Sequence, residues 1–238
     1  MGTTRPSTSS PQTVSRSVTP MRSNSLAISN GSVHSSRVKS THLFSNLSHG
    51  PLAAINAIIV HQTDSFTAAS TLAGYARDAA ETNKGNRGGV GAHFLIDKDG
   101  TIYQTADISK RCWHIAPIRS RCYEMHTCSP AETGRYSAMS RLRPYKKMFV
   151  TPMDRTESKK QYPARYPDNA DSIGIEIAGK HLGDEKSNTY EKPTEAQQAS
   201  LHWLVTQLLD AYGLTTTDVY RHPQVSYKNE GEAKDAAW

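Results

Sequence analysis

Cysteine is scarce in this chain. The 238 residues include only Cys112, Cys122 and Cys128, and no pair of them has the CxxC spacing of a structural zinc motif. Three cysteines are too few for a fold that is held together by disulfides. Cys122 and Cys128 are close enough in sequence to bridge in an oxidising compartment, but we expect free, partly buried thiols.

Long hydrophobic runs are also lacking. The longest apolar stretches are much shorter than the roughly 20 residues that cross a bilayer, so we expect no membrane-spanning helix. The N-terminus contains arginines but no apolar run of about 7–15 residues, so it does not have the pattern of a secretory signal. If the protein acts outside the cytoplasm, we expect another route to take it there.

Acidic residues are absent from residues 1–42, which carry five of the 28 lysines and arginines. Residues 117–168 form a second basic block, with 11 basic and 5 acidic residues. A basic surface favours a polyanionic partner, such as nucleic acid, an anionic membrane or an acidic wall polymer. Aromatic residues are not interleaved with these charges, as stacking on nucleic-acid bases would require. We therefore predict no nucleic-acid partner.

Composition also predicts the limits of the domain. Residues 1–42 contain 12 serines and 6 threonines with little apolar periodicity. They predict a disordered tail, because such a segment buries too little surface to offset its conformational entropy. Order is expected to begin near Leu43, with one domain over 43–238. Residues 117–168 are polar and weakly periodic, and their length predicts an insertion that is functional or partly ordered on its own.

Hydrophobic periodicity predicts an α/β domain with a central mixed sheet. An Asp-Gly turn indicates a hairpin, and a Thr-x-x-Gln capping box followed by a later glycine indicates the limits of a long helix. The predicted elements, in chain order, are a strand ending at His61, a helix over 67–82, a hairpin over 90–104, a strand over 172–178, a helix over 194–213 and a short strand through Val219.

Two histidines stand at the ends of strand-like runs. His61 and His222 each follow β-branched residues, and an acid-rich stretch comes after the second. A hydrolytic zinc site needs three protein ligands and an open position, and histidine nitrogens and carboxylate oxygens are its usual donors. The pair therefore predicts a zinc site at the tips of two strands, with a third ligand still to be assigned.

Six segments, taken in order, resemble the zinc-dependent N-acetylmuramoyl-L-alanine amidases, a family related to phage lysozyme-type amidases and peptidoglycan-recognition proteins. The segments are IIVHQT, GVGAHFLIDKDGTIYQ, CWH, SIGIEIAG, QQASLHWLVTQLLDAYG and VYRHP, and they span about residues 55–238 apart from the insertion. The resemblance implies a sheet flanked by helices, with Zn²⁺ at one edge of a groove that binds peptidoglycan. It also implies hydrolysis of the amide between N-acetylmuramic acid and L-alanine.

The resemblance implies roles for five residues. His61 and His222 match the two zinc histidines, and Glu176 matches the carboxylate that helps water attack the amide. A carboxylate within a buried strand costs free energy unless it is paired or takes part in chemistry, which also favours a role for Glu176. Trp113 and His114 match positions that line the groove, and we expect them to contact substrate.

The third zinc ligand departs from the family pattern. The family places a lysine two residues before this ligand, and Lys228-Asn-Glu230-Gly keeps that order with glutamate as the acid. Glu230 is therefore the expected ligand, and Lys228 is the residue expected to stabilise the oxyanion. Asp235 and Glu232 are the alternatives. A site with only two ligands would instead belong to a non-catalytic peptidoglycan-binding module.

The biological role stays open between three possibilities: a phage endolysin, an effector toxin injected into rival bacteria, and a cytoplasmic recycling amidase. The first two would act on the cell wall after lysis, or after delivery without a signal peptide. The insertion suggests recognition of a particular substrate, or contact with an immunity or carrier protein.

Overall fold

The computed structural model describes residues 26–83, 88–141, 146–184 and 186–238. Its strands are β1 (Ala27–Ser29), β2 (Ser32–His34), β3 (Val38–Lys39), β4 (Ala57–Gln62), β5 (Phe94–Ile96), β6 (Ile102–Gln104), β7 (Ser172–Ile177), β8 (His181–Leu182), β9 (Thr189–Tyr190) and β10 (Val219–Arg221). Its α-helices are α1 (Ala68–Thr82), α2 (Arg121–Glu124), α3 (Pro130–Ser140), α4 (Lys146–Glu157), α5 (Glu195–Tyr212) and α6 (His222–Val225). Within these ranges, no helix is long and apolar enough to cross a membrane.

Six strands form a mixed central sheet in the order β10-β4-β7-β5-β6-β3. β10, β4, β7 and β5 run parallel, β6 is antiparallel to β5, and β3 is parallel to β6. Parallel strands need crossover connections; α1 lies in the connection from β4 to β5, and α5 lies in the connection from β7 to β10. The predicted α/β architecture, a mixed sheet with flanking helices, is confirmed.

The two faces of the sheet are occupied differently, because successive residues of a strand point to opposite faces. Val60 of β4 lies in the main core with residues of α5, whereas Ile59 lies in a smaller core on the opposite face. His61, two residues after Ile59, therefore points away from α5. The isoleucines on either side of Glu176 belong to the main core, so Glu176 points to the same face as His61.

The predicted helices and hairpin are confirmed. Thr67 caps α1 by accepting a hydrogen bond from the Ser70 backbone N–H. Thr194 and Gln197 form the capping box of α5, and Gly213 ends this helix with φ of 64°. Glycine adopts that left-handed conformation without the steric penalty of a side chain. β5 and β6 pair antiparallel as the expected hairpin.

The predicted start of order at Leu43 is too late. β1 and β2 form a hairpin whose turn is Asn30-Gly31, with φ of 50° and 75°, and β3 joins the central sheet. Val33 and Val38 are buried in the main core. The serine-rich composition predicts disorder, but the segment also contains a few short stretches with β-branched residues and an Asn-Gly turn. Asn-Gly is a strong local signal for a hairpin. Residues 1–25, the rest of the predicted tail, lie outside the described residues.

The insertion has structure of its own. It contains α2, α3 and α4, and its small core includes Tyr136, Val150 and Met153. Cys122 and Cys128 form a disulfide, which corrects the expectation of free thiols. A tight turn after α2, in which the Thr127 N–H bonds to the Cys122 carbonyl at 2.8 Å, brings the two cysteines together. Sequence spacing alone did not reveal this turn.

A core substitution tests whether residues 26–42 are part of the domain. Val33→Ala removes two buried methyl groups, so the free energy of unfolding should fall by about 1–3 kcal/mol. Urea unfolding measures this change. Val90→Ala is the matched control, since Val90 is 65% exposed. Equal midpoints for the two variants would contradict the packing of this segment on the sheet.

Candidate metal centre and catalytic cleft

Strand register brings the candidate residues to one edge of the sheet. His61 of β4 pairs directly with Glu176 of β7. β10 pairs with β4 so that Arg221 lies opposite Val60, which carries His222 to the level of His61. Because these strands are parallel, their carboxyl ends meet at the same edge.

Three potential ligand atoms converge at this edge. The Nδ1 atoms of His61 and His222 are 2.9 Å apart, and Glu232 Oε1 lies 2.9 Å from the His222 Nδ1 and 3.5 Å from the His61 Nδ1. Tetrahedral zinc ligands at about 2.0–2.2 Å from the metal would be roughly 3.3 Å from one another. His61, His222 and Glu232 therefore have the chemistry and the spacing of a His-His-carboxylate zinc site.

Electrostatics favour the protonation states that zinc requires. The pKa of His61 is lowered to about 4, first by burial and then by the adjacent His222. Burial raises the pKa of Glu232, but its hydrogen bond with His222 and the closeness of both imidazole rings outweigh burial and hold the pKa well below its usual range. A neutral imidazole and a carboxylate are the forms that bind a metal ion.

Glu230, the expected third ligand, does not join this cluster. Its side chain is 62% exposed and pairs with Arg119 of the insertion. The Asn229 side chain accepts a hydrogen bond from the Gly231 N–H at 2.9 Å, and the resulting turn brings Glu232 to the histidines instead. Asp235, the other alternative, is exposed and binds Gln198 through its backbone carbonyl. Glu232 takes the place expected for Glu230 because of this local turn, which the Lys-x-acid order does not reveal.

A chain of hydrogen bonds supports His61 from behind. The Ser172 Oγ donates to the Asp168 carbonyl at 2.6 Å, so its oxygen is available to accept from the His114 Nε2–H at 3.3 Å. Burial holds the pKa of His114 well below its ordinary value, so the ring is neutral and carries one hydrogen. The His114 Nδ1 is then an acceptor, 2.9 Å from the His61 Nε2. We therefore assign the His61 hydrogen to Nε2, which leaves a lone pair on Nδ1 for a metal ion.

Gly174 makes room for this chain. A Cβ atom at position 174 would lie 2.7 Å from the His114 Nδ1. No β-carbon approaches a neighbour that closely. The His114 ring can therefore lie here only because residue 174 of β7 has no side chain. His114 is only 6% exposed. Its ring supports His61 and also lines the cleft, so the expected contact with substrate stays a prediction.

Trp113 lies beside the site rather than in it. Its ring stacks on His49, with the ring centroids 3.6 Å apart. It lines a neighbouring cavity of about 350 Å³, between the 111–118 segment and α4. Substrate contact by Trp113 stays a prediction that applies to this cavity.

Glu176 and Lys228 share a cleft of about 470 Å³ with the three potential ligands. Burial, and next the nearby Glu232, raise the pKa of Glu176 to about 8. Its Oε2 atom is buried and has no hydrogen-bond partner in the part of the chain that the structure describes. The cleft wall also includes Tyr75 of α1 and Tyr190 of β9, which sequence reasoning missed or treated as helix packing.

The fold and the cleft define an α/β protein with a potential His-His-carboxylate metal centre. The chain belongs to the N-acetylmuramoyl-L-alanine amidase family, Amidase_2, whose model matches residues 51–235. No curated protein sequence matches the chain.

Solved structures of amidases and of peptidoglycan-recognition proteins are similar to this chain. A selenomethionine derivative of AmpD is 18% identical, with 84% of this chain and 87% of that chain covered and a TM-score of 0.43. The amidase LysC from Clostridium intestinale URNW is 22% identical, with coverage of 79% and 80% and a TM-score of 0.39. The complex of peptidoglycan recognition proteins LCa and LCx with tracheal cytotoxin is 16% identical, with 79% of this chain and 82% of that chain covered and a TM-score of 0.42.

Two neighbouring glutamates provide a test of the ligand assignment. Glu232→Gln should weaken zinc binding by at least about tenfold, because a neutral amide is a poor zinc ligand. Glu230→Gln should bind zinc nearly as the unmodified protein does, because residue 230 is outside the donor cluster and the glutamine oxygen can still accept the hydrogen bond from Arg119. Competition with a chromophoric chelator measures both affinities. The reverse order would restore Glu230 as the ligand.

The support of His61 can be tested without touching a ligand. Ser172→Ala removes the acceptor that fixes the His114 tautomer, so zinc binding should weaken about tenfold, the lower end of the effect of losing a direct partner of a ligand. Ser200→Ala is the control, because the Ser200 Oγ also donates to a backbone carbonyl, that of Gly100, at 2.6 Å but away from the cleft. The same chelator titration applies. Equal zinc affinities for the two variants would contradict the hydrogen-bond chain.

Proposed function

We propose that this protein is a zinc-dependent hydrolase of the amide bond between N-acetylmuramic acid and L-alanine in peptidoglycan. The observation that carries the proposal is the convergence of His61, His222 and Glu232 in a cleft that also holds Glu176. Membership of the amidase family supports the choice of bond. The cleft volume of about 470 Å³ lies in the range of ligand-binding sites and is large enough for part of a muropeptide.

His61, His222 and Glu232 would hold the zinc ion. When bound, zinc supplies Lewis-acid chemistry, which lowers the pKa of water towards neutrality and polarises a carbonyl. The hydrogen-bond chain behind His61 supports this role, because it keeps the Nδ1 lone pair directed at the other two donors.

Glu176 would be the general acid and base. Its buried Oε2 is free to accept the proton of the attacking water. The raised pKa of Glu176 then favours retention of that proton until the amine of L-alanine leaves, when the carboxyl delivers it to the amine nitrogen. A carboxylate already engaged in hydrogen bonds would accept the proton less readily.

Lys228 would stabilise the negative charge that develops on the carbonyl oxygen. It lines the same cleft as Glu176 and the donor atoms. An ammonium at the wall of this cleft would favour the transition state over the neutral amide, because the negative charge is absent from the ground state.

The alternative, a non-catalytic peptidoglycan-binding module, drew its support from doubt about the third ligand. The proximity of Glu232 to both histidines supports a complete set of three ligands and so favours the enzyme. We therefore favour the enzyme, with peptidoglycan as its substrate.

We also propose that the enzyme acts on the cell wall, outside the reducing cytoplasm. The Cys122–Cys128 disulfide supports this location, because disulfides persist in oxidising compartments. A role as an endolysin or as a delivered effector agrees better with a disulfide than cytoplasmic recycling does. Contact with an immunity or carrier protein stays a prediction.

Glu176→Gln tests the reaction. The variant should bind about one zinc per chain, yet release stem peptide from purified peptidoglycan at least about 100-fold more slowly, because the amide cannot move the proton. Mass spectrometry of the released peptides measures the rate and identifies the bond. If the unmodified protein binds zinc but releases no peptide with a free L-alanine amino terminus, the proposed reaction is wrong. Full activity of the variant would remove Glu176 from it.

A further inference from the structure

The segment between two of the potential ligands is held from outside the sheet. Nine residues separate His222 from Glu232, and Lys228 lies among them. A connection of this kind has several conformations of similar energy unless other parts of the chain fix it. The insertion makes the necessary contacts.

Arg119 is the centre of these contacts. Its backbone N–H donates to the Val225 carbonyl at 2.8 Å, and its Nε donates to the Ser226 carbonyl at 3.1 Å. Its Nη2 donates to Glu230, and its guanidinium carbon lies 5.0 Å from the centre of the Tyr227 ring. Arg119 thus contacts four of the six residues of the 225–230 segment, three of them through its side chain, which is only 17% exposed.

The surroundings of Arg119 are themselves fixed. Ile118, its neighbour, bonds through its N–H to the Asp154 carboxylate of α4 at 2.9 Å. The Ser226 hydroxyl donates to the Pro117 carbonyl at 2.8 Å. The Tyr227 ring packs against the small core of the insertion. The insertion and the 225–230 segment therefore form one packed unit, and this unit ends two residues before Glu232.

We propose that Arg119 is a positioning residue for the metal centre: by clamping the 225–230 segment, it sets the places of Lys228 and Glu232. The proposal rests on the proposed function, since it concerns the same site. Arg119 is not a ligand, and it is not among the residues that line the cleft with Glu176. On this proposal the insertion stabilises the geometry of the site through Arg119.

The chemistry of the clamp requires arginine. A guanidinium is planar and can donate in two directions while its face covers an aromatic ring, whereas a lysine ammonium is a single point of charge. Lysine at this position would keep the charge and one hydrogen bond but lose the fork. The conservative variant should therefore recover only part of the effect.

Arg119→Ala, Arg119→Lys and the control Arg135→Ala test the proposal. Arg135 is an exposed arginine of the same insertion, on α3. Arg119→Ala should weaken zinc binding about tenfold and lower kcat at saturating zinc about tenfold, with KM changed by less than about threefold. Arg119→Lys should fall between the alanine variant and the unmodified protein. Arg135→Ala should match the unmodified protein in every measurement.

Hydrogen exchange gives a second measurement that needs neither zinc nor activity. The backbone amides of residues 226–232 should exchange about tenfold faster in metal-free Arg119→Ala than in metal-free unmodified protein, because the clamped segment opens more often. If the alanine variant does not fold, Arg119→Lys takes its place. Unchanged exchange of these amides in a folded Arg119 variant would overturn the proposal. Absence of zinc or activity in the unmodified protein would overturn the proposed function and leave the exchange result to decide on Arg119.

Discussion

The parallel pairing of β4 with β7 on one side and β10 on the other is the constraint on which the site depends. It fixes His61 opposite Glu176 and carries His222 to the same edge. Strand pairing sets these positions, because the backbone hydrogen bonds restrict the register. The same strands present isoleucine and valine to α5 on their other face. The same strands therefore stabilise the core through one face and carry the candidate site residues on the other.

The third donor has a different origin from the two histidines. Glu232 comes from a turn rather than from a strand, and its place depends on the side chain of Asn229 and on contacts with the insertion. The three candidate ligand atoms thus come from two sources. His61 and His222 are placed by strand pairing, and Glu232 is placed by a turn that contacts the insertion. Charge holds them together: acceptor atoms this close repel one another unless a proton or a cation lies between them. The low pKa values of His61 and of Glu232 leave a neutral imidazole and a carboxylate there, which are the forms that bind a metal ion.

Sequence reasoning recovered the features that depend on local patterns. Alternation and capping residues predicted β4, β7, α1 and α5, and order along the chain identified the family. It failed where a contact between distant segments decides the outcome. Glu230 was preferred over Glu232 because the residue order near Lys228 was visible, whereas the turn at Asn229 and the Arg119 pair were not. The disulfide was missed for a similar reason, since it depends on a turn after α2.

Residues 26–42 illustrate a related limit. Their serine content predicts disorder on average, but Val33 and Val38 gain their stabilisation from a core that other segments build. Composition describes what a segment can bury by itself, and it does not describe what the rest of the chain offers. The supporting role of His114 was concealed in the same way, because it depends on Ser172, which lies 58 residues away in sequence.

Gly174 has a consequence for how variation in this chain should be interpreted. It has no functional group, yet any larger residue would push the His114 ring from its place. The disturbance would pass through His61 to the donor atoms, although position 174 touches no ligand. Mutational tolerance along β7 should therefore follow the hydrogen-bond chain rather than chemical reactivity. A substitution that looks like an ordinary strand-packing change would disturb the three candidate ligand atoms.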